Sequence, residues 1–161
     1  MLNIRSATAE DKPAIWQIIK VVIAGGDTYT FAPDSSEEEI MAFWFAPDKH
    51  NYVAEIDGEV IACFWLRANQ PGLGKHVCNA AYMVSPTTRG KGVGKQICEW
   101  SLGEARRLGF TAMQFNFVVA SNTAAVRLWQ SIGMNIIGTI PNGFNHAQLG
   151  PTDAYIMHRE L

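Results

Sequence analysis

Cysteine is scarce in this chain of 161 residues. The three present, Cys63, Cys78 and Cys98, form no C-x-x-C pair and read as reduced thiols buried in strands or a helix, which fits a cytoplasmic location. Net charge is small, at −2. Such a balance gives no general attraction to nucleic acid or to an anionic membrane, so any anionic ligand needs a local site. Long apolar runs are missing too. The longest, Ile15 to Ala24, is broken by Gln17 and Lys20, and is too short and too polar to span a bilayer. The start, Met1-Leu2-Asn3-Ile4-Arg5, has no charged-then-apolar signal pattern. His50, His76, His146 and His158 lack the spacing of metal ligands, so no metal is expected.

What is present suits one packed domain over residues 1–161, with 48% of the residues apolar. Leu2 to Ser6 alternates like a strand. Thr8 and Asp11 are candidate N-caps for a helix carrying Pro13 in its first turn and Ile15, Ile18, Ile19 and Val22 on one face; Gly25-Gly26 ends it. Residues 27–35 read as a loop. Ser36 with Glu39 opens a second helix as a capping box. Residues 51–56 and 60–66 flank Asp57-Gly58, the strongest short hairpin signal. A Gly-rich turn over 69–75 leads to a strand over 76–84. A helix over about 92–108, a strand over 111–119, a helix over 122–132 and two closing strands over 135–140 and 153–159 follow, with 141–151 read as loop. Short turns imply antiparallel strands, and the strand–helix–strand around 77–119 implies a parallel pair with a right-handed crossover. The expected fold is a mixed α/β sheet flanked by helices.

The most informative stretch is Arg89-Gly90-Lys91-Gly92-Val93-Gly94-Lys95, which follows a strand and opens a helix. Amides at a helix start have no internal partners and sit at the positive end of the dipole. Glycines let that backbone approach an anion, while Arg89, Lys91 and Lys95 add charge. This composition builds a phosphate cradle. It is not a Walker A loop, because Gly90 to Gly94 is one residue short and Gln96 follows the lysine. Nor is it a dinucleotide fingerprint, since the spacing is G-x-G-x-G and no repeated strand–helix halves occur.

The spacing R-x-x-G-x-G at Arg89, Gly92 and Gly94 resembles the pyrophosphate motif of the GNAT superfamily of acyl-CoA-dependent N-acetyltransferases. Asn122, Ala125, Leu128 and Gly133 match the second family pattern, N-x-x-A-x-x-L-Y-x-x-x-G-F, and the element order matches over essentially the whole chain. The resemblance implies the GNAT fold, a mostly antiparallel sheet with a splayed parallel strand pair. It also implies acetyl-CoA as cosubstrate, a small-molecule amine as acceptor and direct transfer without a covalent enzyme intermediate. Homodimers are common among similar proteins. By the same resemblance, backbone groups of Met83 and Val84 pair with the pantetheine arm, an N–H there polarises the acetyl carbonyl, and Asn122 bonds the arm; as a helix N-cap, Asn122 is equally well explained.

Two catalytic roles stay open. The family tyrosine after Leu128 is here Trp129, an indole that suits packing, with at most a hydrogen bond to the ligand. Tyr82, Tyr155 or an ordered water could supply the proton instead, and a thiol of pKa about 8.5 leaves fairly well unaided. For the base, Glu55 is the nearest candidate by strand alternation; it reads more readily as a solvent-facing strand residue. Asn79 and Asn116 lie in the two central strands, where an amide needs a partner. With Asn122 and the tail Thr152-Asp153-Ala154-Tyr155 they resemble a microbial subgroup that acetylates toxic proline analogues such as azetidine-2-carboxylate, in which the asparagine matching Asn79 contacts substrate. Tyr29 and Phe31 fall on the loop where the family builds its acceptor pocket. The alternatives are acetylation of a protein N-terminus or lysine, and a non-catalytic acyl-CoA-binding regulator.

Overall fold

The computed structural model describes residues 1–161, and its strands form one sheet in the order β1-β2-β3-β4-β5-β7-β6. The strands are β1 (Asn3–Ser6), β2 (His50–Ile56), β3 (Glu59–Ala68), β4 (Val77–Val84), β5 (Ala112–Val119), β6 (Asn135–His146) and β7 (Gly150–Glu160). The helices are α1 (Lys12–Ala24), α2 (Glu37–Trp44), α3 (Val93–Arg107) and α4 (Thr123–Ser131). None is long and apolar enough to cross a membrane.

Period-two alternation along the central strands divides the core in two. One face carries Val53, Cys63, Trp65 and Met83, packed under α1 and α2 through Ile15, Ile19, Ile23, Ile40 and Trp44. The other carries Tyr52, Phe64, Leu66 and Tyr82, packed with Ile97, Leu102 and Ala105 of α3 and with Leu128 and Trp129 of α4. Asp57 and Gly58 both take positive φ, 52° and 82°, as a tight two-residue hairpin turn requires. Ser36 Oγ accepts from Glu39 N–H at 3.2 Å and fixes the start of α2. Helices α3 and α4 both end in the Schellman pattern: Phe110 N–H bonds Ala105 O at 3.0 Å, and Met134 N–H bonds Trp129 O at 3.0 Å.

Every pairing is antiparallel except β4 with β5, which is parallel and holds for only two residue pairs, Val77–Ala112 and Cys78–Met113. Beyond them the strands part. A register shift between Phe115 and Val118 bends β5 away on its other edge. The sheet is therefore forked at its centre.

The segment 141–151 is not the loop its Pro, Asn and Gly content suggests. It extends β6 and β7 into a long hairpin, with Phe144 opposite Thr152 and His146 opposite Gly150. Proline is tolerated here because β6 is the sheet edge and β5 has already ended where Pro151 lies. Asn142 at φ 50° absorbs the irregularity between Ile140 and Phe144. The hairpin tip reaches the end of α1, where Ala147 N–H bonds Gly26 O at 3.0 Å.

Candidate active site

The fork opens a cleft of about 440 Å³. Tyr29, Phe31, Asn79, Met83, Val84, Arg89, Asn116, Asn122 and Trp129 all line it. A second chamber of about 390 Å³ adjoins it, sharing Val22, Thr28, Val84, Arg89 and Asn122.

The glycine loop follows directly on Arg89, which lines both chambers. Gly90 and Gly92 take φ of 79° and 71°, and nothing lies within 4 Å of a Cβ built on Gly90. The first bond of α3 runs from Gln96 N–H to Gly92 O at 3.2 Å, so Val93, Gly94 and Lys95 have no intrahelical acceptor. A Cβ on Gly94 would meet Leu128 Cδ2 at 3.4 Å, so the start of α3 packs close to α4. Arg89, Lys91 and Lys95 are exposed around it. In the second chamber Ser121 buries a hydroxyl oxygen with no partner. Free amides, cations and an orphaned hydroxyl in one run fit a diphosphate continued by a polar arm.

Strand alternation decides which main-chain groups face the cleft. Ser85 N–H bonds Ile61 O at 2.8 Å and Val77 O accepts from Asn69 N–H at 2.8 Å, so the odd residues of β4 turn their polar groups to β3. Met83, expected to pair with a ligand through its backbone, is therefore directed at Cys63, its partner in register. Val84 and Tyr82 face the gap. At Tyr82 both main-chain groups are taken: Tyr29, itself at φ 58°, accepts from Tyr82 N–H at 3.0 Å and donates to Tyr82 O through the same hydroxyl.

Asparagines hold the fork. Asn79, 7% exposed, donates from Nδ2 to Gln114 O at 2.9 Å across the opening. Asn116 donates to Asn69 Oδ1 at 2.6 Å and accepts from Gln114 Nε2 at 3.0 Å. Asn122 caps α4 through its oxygen, bonded to Ala125 N–H at 3.3 Å. This leaves its Nδ2 donors for the cleft.

The proton-transfer candidates fare differently. Glu55 stands outside the cleft. Its carboxylate accepts from Asn3 Nδ2 at 2.8 Å and Arg5 Nε at 3.2 Å, at the β1–β2 seam. Glu55 keeps the Val53 face of β2, opposite Asn3 in the β1 register, but β2 lies two strands from the fork. Tyr82 turns its hydroxyl away, to Ser101 Oγ at 2.7 Å, and burial pushes its pKa well above 10. Tyr155 does not line the cleft. Trp129 packs its ring 5.2 Å from Tyr82 and 4.8 Å from Phe115. No carboxylate lines the main cleft, and no group of His, Cys, Asp or Glu is placed to hold a metal.

Sequence reasoning missed Phe43, Trp44, Trp65 and Arg67, which wall the cleft on the α1–α2 side. Trp65 and Arg67 alternate along β3 and share a face, a signal visible in the strand; what hid it was the register with β4, set by the long 69–76 turn.

Residues 19–134 match the family described as Acetyltransferase (GNAT) family. N-acetyltransferase aca1 of Schizosaccharomyces pombe is 34% identical over 112 residues, 69% of this chain; the chain spans about half that relative's length, 54%. The structure of a GCN5-related N-acetyltransferase from Kribbella flavida superposes with a TM-score of 0.93 at 39% identity, covering 99% of this chain and 98% of that one. A phosphinothricin acetyltransferase from Sinorhizobium meliloti, solved in complex with acetyl-CoA, shares the fold at a TM-score of 0.85 and 23% identity, over 99% of this chain and 88% of that one.

Proposed function

The chain belongs to the GNAT family of acetyltransferases, and we propose that it transfers acetyl from acetyl-CoA to the amine of a small molecule, an amino acid or proline-like analogue. The fork between β4 and β5 carries this reading, because it joins an unpaired-amide cradle at one end to an aromatic, carboxylate-free pocket at the other.

In this reading the amides at 92–95, with Arg89, Lys91 and Lys95, grip the diphosphate, and Asn122 and Ser121 receive the polar arm. Val84 N–H meets the carbonyl oxygen as negative charge develops there. The amine nitrogen attacks the thioester carbon, the N–C bond forms, and the C–S bond breaks. Thiolate leaves and takes its proton from solvent, which its modest basicity permits. No carboxylate lines the main cleft, so water removes the ammonium proton. Trp129 packs the wall and transfers no proton.

A pocket walled by Tyr29, Phe31, Phe43 and Trp65 supports a small acceptor over a peptide. Thiol release from acetyl-CoA tests this with three acceptor sets: free amino acids, cyclic imino acids such as azetidine-2-carboxylate, and N-terminal or lysine peptides. The expected result is turnover favouring the first two sets. Faster turnover of peptides would overturn the small-acceptor reading, and tight acetyl-CoA binding with no turnover of any amine would favour a regulator.

A further inference from the structure

Three side chains at the α1–α2 end of the cleft bury donors that nothing in the protein receives. These are the indole N–H groups of Trp44 and Trp65 and Nε of Arg67. A buried donor without an acceptor is costly, and three in one wall mark a place shaped for a group rich in acceptor oxygens. Arg67 engages Asp48 Oδ2 through Nη1 alone, at 3.3 Å and near the surface, where Asp48 is 58% exposed. Its Nε edge remains, the side of the guanidinium fork that pairs with two oxygens of one carboxylate.

Charge points the same way. Lys49, its side chain 2% exposed, places Nζ 4.2 Å from the Phe43 ring and 5.5 Å from the Trp65 ring. Arg67 lies 5.2 Å from that same Trp65 ring. Only the carboxylate of Asp48 answers these two cations. A polyamine would meet repulsion here.

Position completes the argument. Arg67 is directly opposite Asn79 in the β3–β4 register. Such residues project on one face with Cβ atoms about 5 Å apart. Asn79 marks the fork, where the attacking amine must arrive. In an α-amino acid a single carbon separates amine from carboxylate, so neighbouring residues must receive the two groups.

We propose that the acceptor is an α-amino carboxylate, its carboxylate held by the Nε edge of Arg67 and the indole N–H of Trp65, with its amine directed to the fork beside Asn79. This rests on the acetyl-transfer reading above and names the residues that hold the acceptor's carboxylate in that site. A peptide N-terminus offers a neutral amide where the carboxylate belongs and is disfavoured.

The test compares free amino acids with their carboxamides in the wild-type protein and in Arg67→Gln, taking the ratio of kcat/KM values. Comparing the ratio between proteins cancels the different basicity of the two amines. Arg67→Gln is expected to lower kcat/KM for the carboxylates about 100-fold and for the carboxamides under about threefold, with acetyl-CoA affinity unchanged as the check on folding. Arg67→Lys keeps the charge without the fork and is expected to recover part of the loss. Trp65→Phe keeps the packing and is expected to lower the carboxylate preference about tenfold, which serves if Arg67→Gln does not fold. Turnover of both acceptors with an unchanged ratio in these variants overturns the carboxylate subsite while the acetyl-transfer reading stands. Turnover of neither acceptor overturns both.

Discussion

The side-chain amide of Asn79 donates to the main-chain carbonyl of Gln114 at 2.9 Å, one residue beyond the last parallel pair of β4 and β5. A side chain thus supplies the next rung of the ladder while the backbones separate. Asn79→Ala leaves that carbonyl without its partner and loosens the fork. The expected loss of stability is about 1 kcal/mol in urea unfolding, with acceptor kcat/KM down about tenfold or more and acetyl-CoA affinity nearly unchanged. A fall confined to acetyl-CoA affinity would place Asn79 on the wrong side of the reaction.

Trp129 stands where the family tyrosine is expected, wedged between Tyr82 and Phe115. If it only packs, Trp129→Phe keeps kcat within about threefold, whereas removing a general acid costs about 100-fold or more. Steady-state kcat at saturating acetyl-CoA separates the two.

All three thiols are buried. Burial pushes Cys78 up to about 12 and raises Cys63 and Cys98 as well. Thiolate is therefore negligible near neutrality, and direct transfer needs none. Iodoacetamide at pH 7.5 is expected to leave native activity intact and to label all three cysteines only after unfolding, read by mass spectrometry. Inactivation of the native protein would contradict a mechanism without a protein nucleophile.

Asp11 accepts from Nη1 and Nη2 of Arg5, at 2.8 and 2.9 Å, and from Thr8 N–H at 2.7 Å. The hydrogen bonds from Arg5, above all, lower its pKa from 3.8 to about 2, against the opposing effect of burial. A depressed carboxylate stabilises the fold fully above its unfolded pKa, and that contribution is lost as pH falls from about 4 toward 2. Asp11→Asn is expected to cost about 1–2 kcal/mol at pH 7, with the deficit shrinking below about pH 4. A deficit independent of pH would mean that the charge does not matter.

Much of this was legible in the chain itself, for reasons that can be named. The Asp57-Gly58 turn, the Ser36 cap and the glycine loop are local signals, each set by a few adjacent residues. The parallel pair was legible because strand, crossover helix and strand occur in order around a phosphate loop; its splaying came only from the resemblance to the GNAT family. Long-range register was not. Alternation sets the face that Glu55 takes, but the sheet order that places β2 beside β1, with Glu55 bonded to Arg5 and away from the fork, is not local. Pro141, Asn142 and Gly143 read as loop because their conformational preference is local, yet edge position and pairing with β7 override it. The pairing of Arg67 with Asn79 depends on how a turn spanning 69–76 closes, which no local pattern encodes.

The central claim is that the amides at 92–95 hold the diphosphate of acetyl-CoA at the mouth of the fork. Titration calorimetry of acetyl-CoA against the wild-type protein and Gly92→Glu measures it directly. At φ 71° any side chain is strained, and a glutamate adds both bulk and negative charge at the cradle. The account predicts a loss of affinity of about 100-fold or more in a variant that still unfolds cooperatively. Wild-type affinity in that variant would contradict it.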